Sequence, residues 1–407
     1  MLVVSANWAI ADGTLVSHPR RLQAEWLAAV SRAAVRGGFR RDGRYAAIDR
    51  LDVVLAGDTF DALTTTAWLG GVRPWHEGCR AAGVAGRVLT AAAARGRRLL
   101  AGLAAWARSG VEVPAADRRG RPDAARRIRV PVRVAILPGD RDRWLAGAAA
   151  RFARRGIAVA PSWSVDGVSV VHGAELDPFC CPAADADVGR PTLGASLAVD
   201  LVARFGAAVR SLPGLWPECR PLVGRLAASR PLDLPLVVGE WLARLPVAAI
   251  SEQWRASVAA WRRQARLVDP IGDVGFDAID AVAAWMDDLD PQRCAPGGVA
   301  DLGGLLAEPA PVAAAAGVVV LGHRGPSVDA TVVGLGSPAW RIAAEPCAGV
   351  RVACVAAAGP CGGPAHAVCL DPARPTWLPL GIDAAAAPAI GGWSRPAAPT
   401  HPIVEAA

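Results

Sequence analysis

Residues 51–61 read Leu51-Asp52-Val53-Val54-Leu55-Ala56-Gly57-Asp58-Thr59-Phe60-Asp61. A run of apolar β-formers passes at once into Gly-Asp, the pattern of a buried strand that turns sharply and delivers a carboxylate at its end. The pattern returns three times. Val130 to Leu137 runs into Pro138-Gly139-Asp140, Val168 to Val171 into His172-Gly173, and Val318 to Leu321 into Gly322-His323. Leu2 to Ser5 predicts one more strand, but Ala6-Asn7-Trp8 follows it, without an acid or an imidazole. Any one Asp after a strand is ordinarily a turn residue. Together, two carboxylates and two imidazoles on short rigid strands make a donor set for one divalent metal: Mn, Zn or Fe.

Helices fall between these strands, so the fold class is α/β. Pro19 to Arg36 predicts a helix, with Ser17 before it, Pro19 in its first turn, and Leu22, Trp26, Val30 and Ala33 on one stripe. Residues 86–109 are Ala- and Arg-rich with helical periodicity. Asp117 to Arg129 reads as a basic loop punctuated by Pro and Gly. Residues 179–308 read as a helical insertion carrying Trp216, Trp241, Trp254, Trp261 and Trp285. Trp254 and Trp261 are seven apart and share a helix face. Helix-on-helix packing accounts for them; the functional alternative is an apolar wall for a substrate with a lipid-like or aromatic part. Residues 381–407 are an Ala/Pro-rich tail, expected to be poorly ordered.

Gly57-Asp58-Thr59-Phe60-Asp61, Gly139-Asp140-Arg141-Asp142, His172-Gly173 and Gly322-His323 stand in the order of the motifs of the calcineurin-like metallophosphoesterases. In style they resemble the UDP-diacylglucosamine diphosphatase branch, with Arg after the ligand of the Asp140 motif. The resemblance covers the strand ends of residues 1–178 and 316–345. It implies an αββα sandwich of two mixed β-sheets flanked by helices, formed by residues 1–178 and 309–380. It also implies roles: Asp58 as a carboxylate between two metals, with Asp140, His172 and His323 on the same ion. Arg141 would face the phosphate and Asp142 would orient it. Gly334-Leu335-Gly336-Ser337 resembles the segment that follows the last motif in the family.

The departures are concentrated. Where the family carries Asp-x-His after the first strand, Ala6 and Trp8 stand, and neither can ligate. Where it carries Gly-His-x-His, Gly325 replaces the second His. The losses empty one metal position and spare its neighbour, so a second metal is not expected. Arg324, beside His323, is placed to supply some of the missing positive charge to a phosphate. Asp12, in Ala11-Asp12-Gly13, is the one candidate for a displaced ligand.

Three functions compete. The first is a divergent phosphoesterase for a small phosphomonoester, phosphodiester or pyrophosphate. The second is an inactive member of that fold kept as a binding or scaffold protein. The third is an α/β-hydrolase, for which Ser196 in Gly194-Ala195-Ser196-Leu197-Ala198 is the nearest nucleophile. That segment lacks the second Gly of a nucleophile elbow, and Ser196 follows the would-be acid in the chain, where the usual order is the reverse.

Composition sets the frame. The chain has 407 residues, 53% of them hydrophobic, and a net charge of +7. There is no lysine; all 44 basic residues are arginine. With heavy Ala, Gly and Pro usage this reads as coding bias, and it defines neither a nucleic-acid nor a membrane partner. The basic loop lacks interleaved aromatics and reads as solvated surface. Nine cysteines without a Cys-x-x-Cys pair read as reduced thiols. The N-terminus lacks signal-peptide character, and the apolar stretch Pro309 to Gly322 is too short to span a bilayer. A cytoplasmic location is the expectation.

Overall fold

The computed structural model describes residues 1–16, 20–40, 42–166, 168–174, 179–180, 191–229, 231–245, 247–268, 271, 274–289, 318–321, 351–354, 366–371 and 374–379. The chain begins β1 (Leu2–Ser5), β2 (Ile10–Ala11), α1 (Arg20–Arg36), β3 (Leu51–Ala56), β4 (Phe60–Asp61), α2 (Cys79–Arg95) and α3 (Arg97–Ser109). It continues through β5 (Val111–Ala116), β6 (Pro122–Val130), β7 (Val132–Leu137), α4 (Ala149–Ala153), β8 (Ile157–Val159), β9 (Ser162–Val165) and β10 (Val168–Val171). Helices α5 (Leu193–Ser196), α6 (Arg204–Ser211), α7 (Trp216–Ala228), α8 (Leu234–Arg244), α9 (Ala248–Arg263) and α10 (Phe276–Asp287) follow. Strands β11 (Val318–Leu321), β12 (Arg351–Cys354), β13 (His366–Asp371) and β14 (Arg374–Pro379) close the described chain.

This is a mixed α/β arrangement. One four-stranded sheet has the order β1-β3-β7-β8 and is parallel throughout, not mixed. The second has the order β12-β11-β10-β9, with only β9 antiparallel to its neighbour. Strands of the first sheet are apolar at consecutive positions because both faces are covered. Val3, Val53, Leu55, Val134 and Ile136 pack with Trp26 and Val30 of α1 and Leu99 and Leu103 of α3. Their alternates Leu2, Val4, Val54, Ala56, Ala135 and Leu137 pack with Val165, Val168 and Val170 of the second sheet. One sheet thus has helices on one side and a second sheet on the other.

The expected α1 is present, though residues 17–19 lie outside the described residues. The expected helix over 86–109 begins earlier, at Cys79, and is broken in two at Gly96. A Cβ on Gly96 would come 3.1 Å from Ile10 Cδ1, so the break lets the helix pair settle on β2. The expected basic loop is a correction: residues 111–130 form the antiparallel hairpin β5–β6. Strand β6 is exposed and Arg-rich, without an apolar alternation to read, although β5 alternates buried and exposed residues.

The described part of the segment between β10 and β11 is mostly helical, with α5 to α10 joined by short turns. Trp254 and Trp261 of α9 are fully buried in its core, with indole N–H groups donating to the Met286 carbonyl (2.6 Å) and Ser196 Oγ (3.0 Å). They pack helix on helix. This core includes Ala11, Leu15 and Val16. A buried ion pair, Arg73 to Asp200 at 2.7 Å, also ties the loop after β4 to the π-helical turn Leu197–Ala203. No helix among the described residues is long and apolar enough to cross a membrane. The tail 381–407 lies outside the described residues.

Candidate metal centre

Strands β3 and β7 are parallel neighbours, so their carboxyl ends present Asp58 and Asp140 side by side. Strand β10, in the facing sheet, presents His172. One oxygen from each acid and one imidazole nitrogen lie within 4.8 Å of one another. His172 Nε2 is 3.0 Å from Asp140 Oδ1 and 3.6 Å from Asp58 Oδ2. His172 Nδ1 lies 3.0 Å from the Ala56 carbonyl, which can act only as an acceptor. With Nδ1 protonated, Nε2 is the nitrogen left to ligate.

Two glycines permit this approach. Gly57 has φ +92°, and a Cβ there would fall 1.9 Å from His172 Nδ1. A Cβ on Gly139 would fall 2.1 Å from Asp58 Oδ1. Asp58 itself is in the left-handed region at φ 49°, as are Asn7 and Ala9 across from it. The loop after β1 is laced to the loop after β3: the amides of Asn7, Ala9 and Ile10 donate to the carbonyls of Gly57, Asp58 and Thr59.

Around this group the electrostatics are dominated by acids. Asp58, Asp61 and Asp142 are all buried. Asp142 is pushed up to about 7, first by burial and then by Asp58, against the opposing pull of two backbone hydrogen bonds and His172. Those bonds come from the Gly139 amide (2.6 Å) and the Phe60 amide (3.0 Å). Asp142 was expected to orient Arg141; its oxygens instead hold together the two loops that present Asp58 and Asp140. Asp61 caps its own turn, accepting from the amides of Leu63 and Thr64. Arg141 is largely withdrawn from solvent, which works against its charge, but Asp61, Asp58 and Asp140 outweigh that and raise its pKa. A buried set of oxygen donors around an imidazole, with acids in excess, fits one divalent cation.

The residues expected from the sequence divide three ways. Asp58, Asp140 and His172 converge, and Arg141 and Asp142 lie beside them. His323, Arg324, Gly325 and the 334–337 segment lie outside the described residues. Ala6 and Trp8 belong to the core: Ala6 sits between the two sheets, and Trp8 meets Trp26 edge-on at 5.3 Å and donates to Ser5 Oγ. Asp12 is engaged elsewhere, by the Thr14 amide and hydroxyl and by the Thr65 hydroxyl. One neighbour went unnoticed in the sequence. The buried thiol of Cys180 donates to Asp140 Oδ2 across 3.6 Å, a contact that no spacing rule could reveal.

No protein-family model, curated protein or solved structure matches this chain. Its function therefore has to be argued from the site.

Proposed function

We propose that this protein is a divergent metal-dependent phosphoesterase of the calcineurin-like kind, working on a small phosphate ester or pyrophosphate from a single metal position. The observation that carries this reading is the convergence of Asp58, Asp140 and His172 from three strand ends on two packed sheets. His323 is the fourth ligand in this reading. Leu321, two residues before it, pairs with Val171, which directly precedes His172. The two packed sheets, with α1 and α3 outside the first, also support an αββα sandwich interrupted by a helical insertion.

A divalent ion held by these residues supplies Lewis-acid polarisation of a phosphoryl oxygen. The chain's own part is to fix that position. Asp58 and Asp140 neutralise the cation, His172 is held in one tautomer by the Ala56 carbonyl, and Asp142 clamps the two loops together.

One observation favours the second reading, a member that binds without turnover. The guanidinium of Arg141, expected to face a phosphate, donates instead to the carbonyls of Ala227 and Ser229. The hydrolase reading has no comparable support. Ser196 is buried in a helix, where its hydroxyl donates to the Leu193 carbonyl.

The test is metal stoichiometry together with hydrolysis of p-nitrophenyl phosphate and its bis-ester in Mn, Zn or Fe(II), using Asp58→Asn and His172→Ala as controls. The expected result is one metal equivalent and turnover, both lost in the controls. Metal binding without turnover would turn the assignment to the binding protein. Failure to bind metal would overturn the phosphoesterase assignment.

A further inference from the structure

The arginine-rich stretch that reads as a loop lies in a hairpin whose strand β5 packs on the α/β core through Val111 and Val113 and whose strand β6 is exposed. Strands β5 and β6 pair from Val111↔Val130 to Ala116↔Pro122, with a register break between Pro114 and Ala115. Asp117 closes the turn: its Oδ1 accepts from the amides of Arg119 and Arg121, both at 2.8 Å. Arg118, Arg119, Arg121, Arg126 and Arg127 carry exposed or half-buried side chains. Among the described residues, none of these five forms an ion pair; Arg129 does, with Glu112 at 3.2 Å.

A second loop completes the surface. Phe39 and Tyr45 form an antiparallel bridge. The Tyr45 amide donates to the Gly120 carbonyl in the hairpin turn (2.6 Å), and its hydroxyl donates to the Pro114 carbonyl (3.0 Å). Arg44 lies against Gly120, where a Cβ would meet its side chain at 3.1 Å. Phe39 rests edge-on against Tyr45 at 5.2 Å and is still 48% exposed. The fold therefore adds Phe39, Arg40 and Arg44 to the arginines of the hairpin, an aromatic among cations that the linear sequence does not show.

We propose that this ribbon, with Phe39, Arg40, Arg44 and Tyr45 beside it, forms a docking surface for single-stranded nucleic acid. Unpaired guanidiniums strung along a ribbon suit a line of phosphates, and an exposed ring beside them offers a base a stacking platform. Protecting an edge strand accounts for a charge or two on β6. It does not account for unpaired arginines in the turn or for the contribution of a second loop. An anionic membrane is less well matched, because a membrane-surface element carries a broad apolar face, whereas Phe39 and Ile128 are isolated exposed apolar residues here.

The test is fluorescence anisotropy of the full chain with a labelled oligothymidylate of about 20 nucleotides, titrated across salt concentrations. Binding should weaken steeply with salt. The triple variant Arg118→Ser/Arg119→Ser/Arg121→Ser should bind at least tenfold more weakly, with a log–log salt slope flatter by about 2. Phe39→Ala should weaken binding several-fold and leave the slope unchanged. Thermal melts should show both variants folded like the parent, because the replaced side chains lie at the surface. Oligonucleotide binding indifferent to the triple variant overturns the proposal. So does tighter binding to a duplex of the same length, or binding to phosphatidylserine vesicles but not to the oligonucleotide.

Discussion

Arg141 joins the candidate metal site to the helical segment through Ala227. Its guanidinium donates to the Ala227 carbonyl in the last turn of α7 and to the Ser229 carbonyl just beyond it (3.3 Å). The backbone amide of the same residue donates to Asp58 Oδ1 at 3.0 Å, and its side chain lies 3.4 Å from Asp61 Oδ2. Carbonyls in the last helical turn lack helical donors and carry partial negative charge, so a half-buried guanidinium satisfies them well. A phosphate arriving beside Asp58 would compete with α7 for one cation.

Replacing Arg141 should therefore loosen α7 as well as the site. Arg141→Ala removes charge-assisted bonds to two carbonyls and should cost about 2–3 kcal/mol, read as a lower urea midpoint. Limited proteolysis should cut faster around residues 228–231. Arg141→Lys keeps the charge near Asp58 and Asp61 but lacks the fork that reaches both carbonyls, so an intermediate result is expected. Unchanged stability and an unchanged cleavage rate would show that the contact does not hold the helix.

Gly57 tests how the imidazole is placed. A methyl at this position falls 1.9 Å from His172 Nδ1, and φ +92° is costly for any L side chain. Gly57→Ala should cost about 3 kcal/mol and displace the imidazole. The useful comparison is His172→Ala/Gly57→Ala, in which the clash is gone and the backbone strain remains. Stability recovered in the double variant, measured by chemical denaturation, identifies the close approach as the main cost. Equal loss in both variants assigns it to φ alone.

Much of the site could be read from the sequence because strand ends are local signals. Runs of apolar β-formers ending in Gly-Asp or His-Gly gave Asp58, Asp140 and His172 without knowledge of contacts. What stayed hidden depends on contacts between distant segments. Ala227 is 86 residues from Arg141, and no periodicity links them. Cys180 reaches Asp140 from another part of the chain, and Arg73 pairs with Asp200 127 residues away. The hairpin β5–β6 is hard to read for a different reason: its apolar face is on β5, where Val111 and Val113 join the core, while β6 is held by cross-strand pairing and shows none.

Asp142 predicts a pH dependence in metal-free protein. Its folded pKa of about 7 lies above the unfolded carboxylate value near 4, so between these the folded state holds the extra proton. Its contribution is complete below about pH 4 and is lost as pH rises through about 7. In EDTA-treated protein, urea midpoints should fall across that interval more in the parent than in Asp142→Asn. The variant should also start lower, because an amide nitrogen cannot accept the bond that a carboxylate oxygen takes from Gly139 or Phe60. Parallel pH profiles for the two proteins would rule out this assignment.

Placing an acid at position 6 and an imidazole at position 8 should create no second metal position, because the core uses both side chains. Ala6→Asp would put a carboxylate between the sheets, where Ala6 packs with Val54, Ala56 and Val170. Unpaired, that charge is costly and would be relieved mainly by protonation. Trp8→His would take most of a fully buried indole away from Trp26 and give up the bond to Ser5 Oγ. Large-to-small replacement of a buried aromatic costs about 3–5 kcal/mol. The double variant Ala6→Asp/Trp8→His should unfold at markedly lower urea and bind no second equivalent of Mn. A variant with parental stability and two bound equivalents would show that the second position is only dormant. The packing of Trp8 on Trp26 argues instead that a ligand at position 8 requires compensating changes in α1.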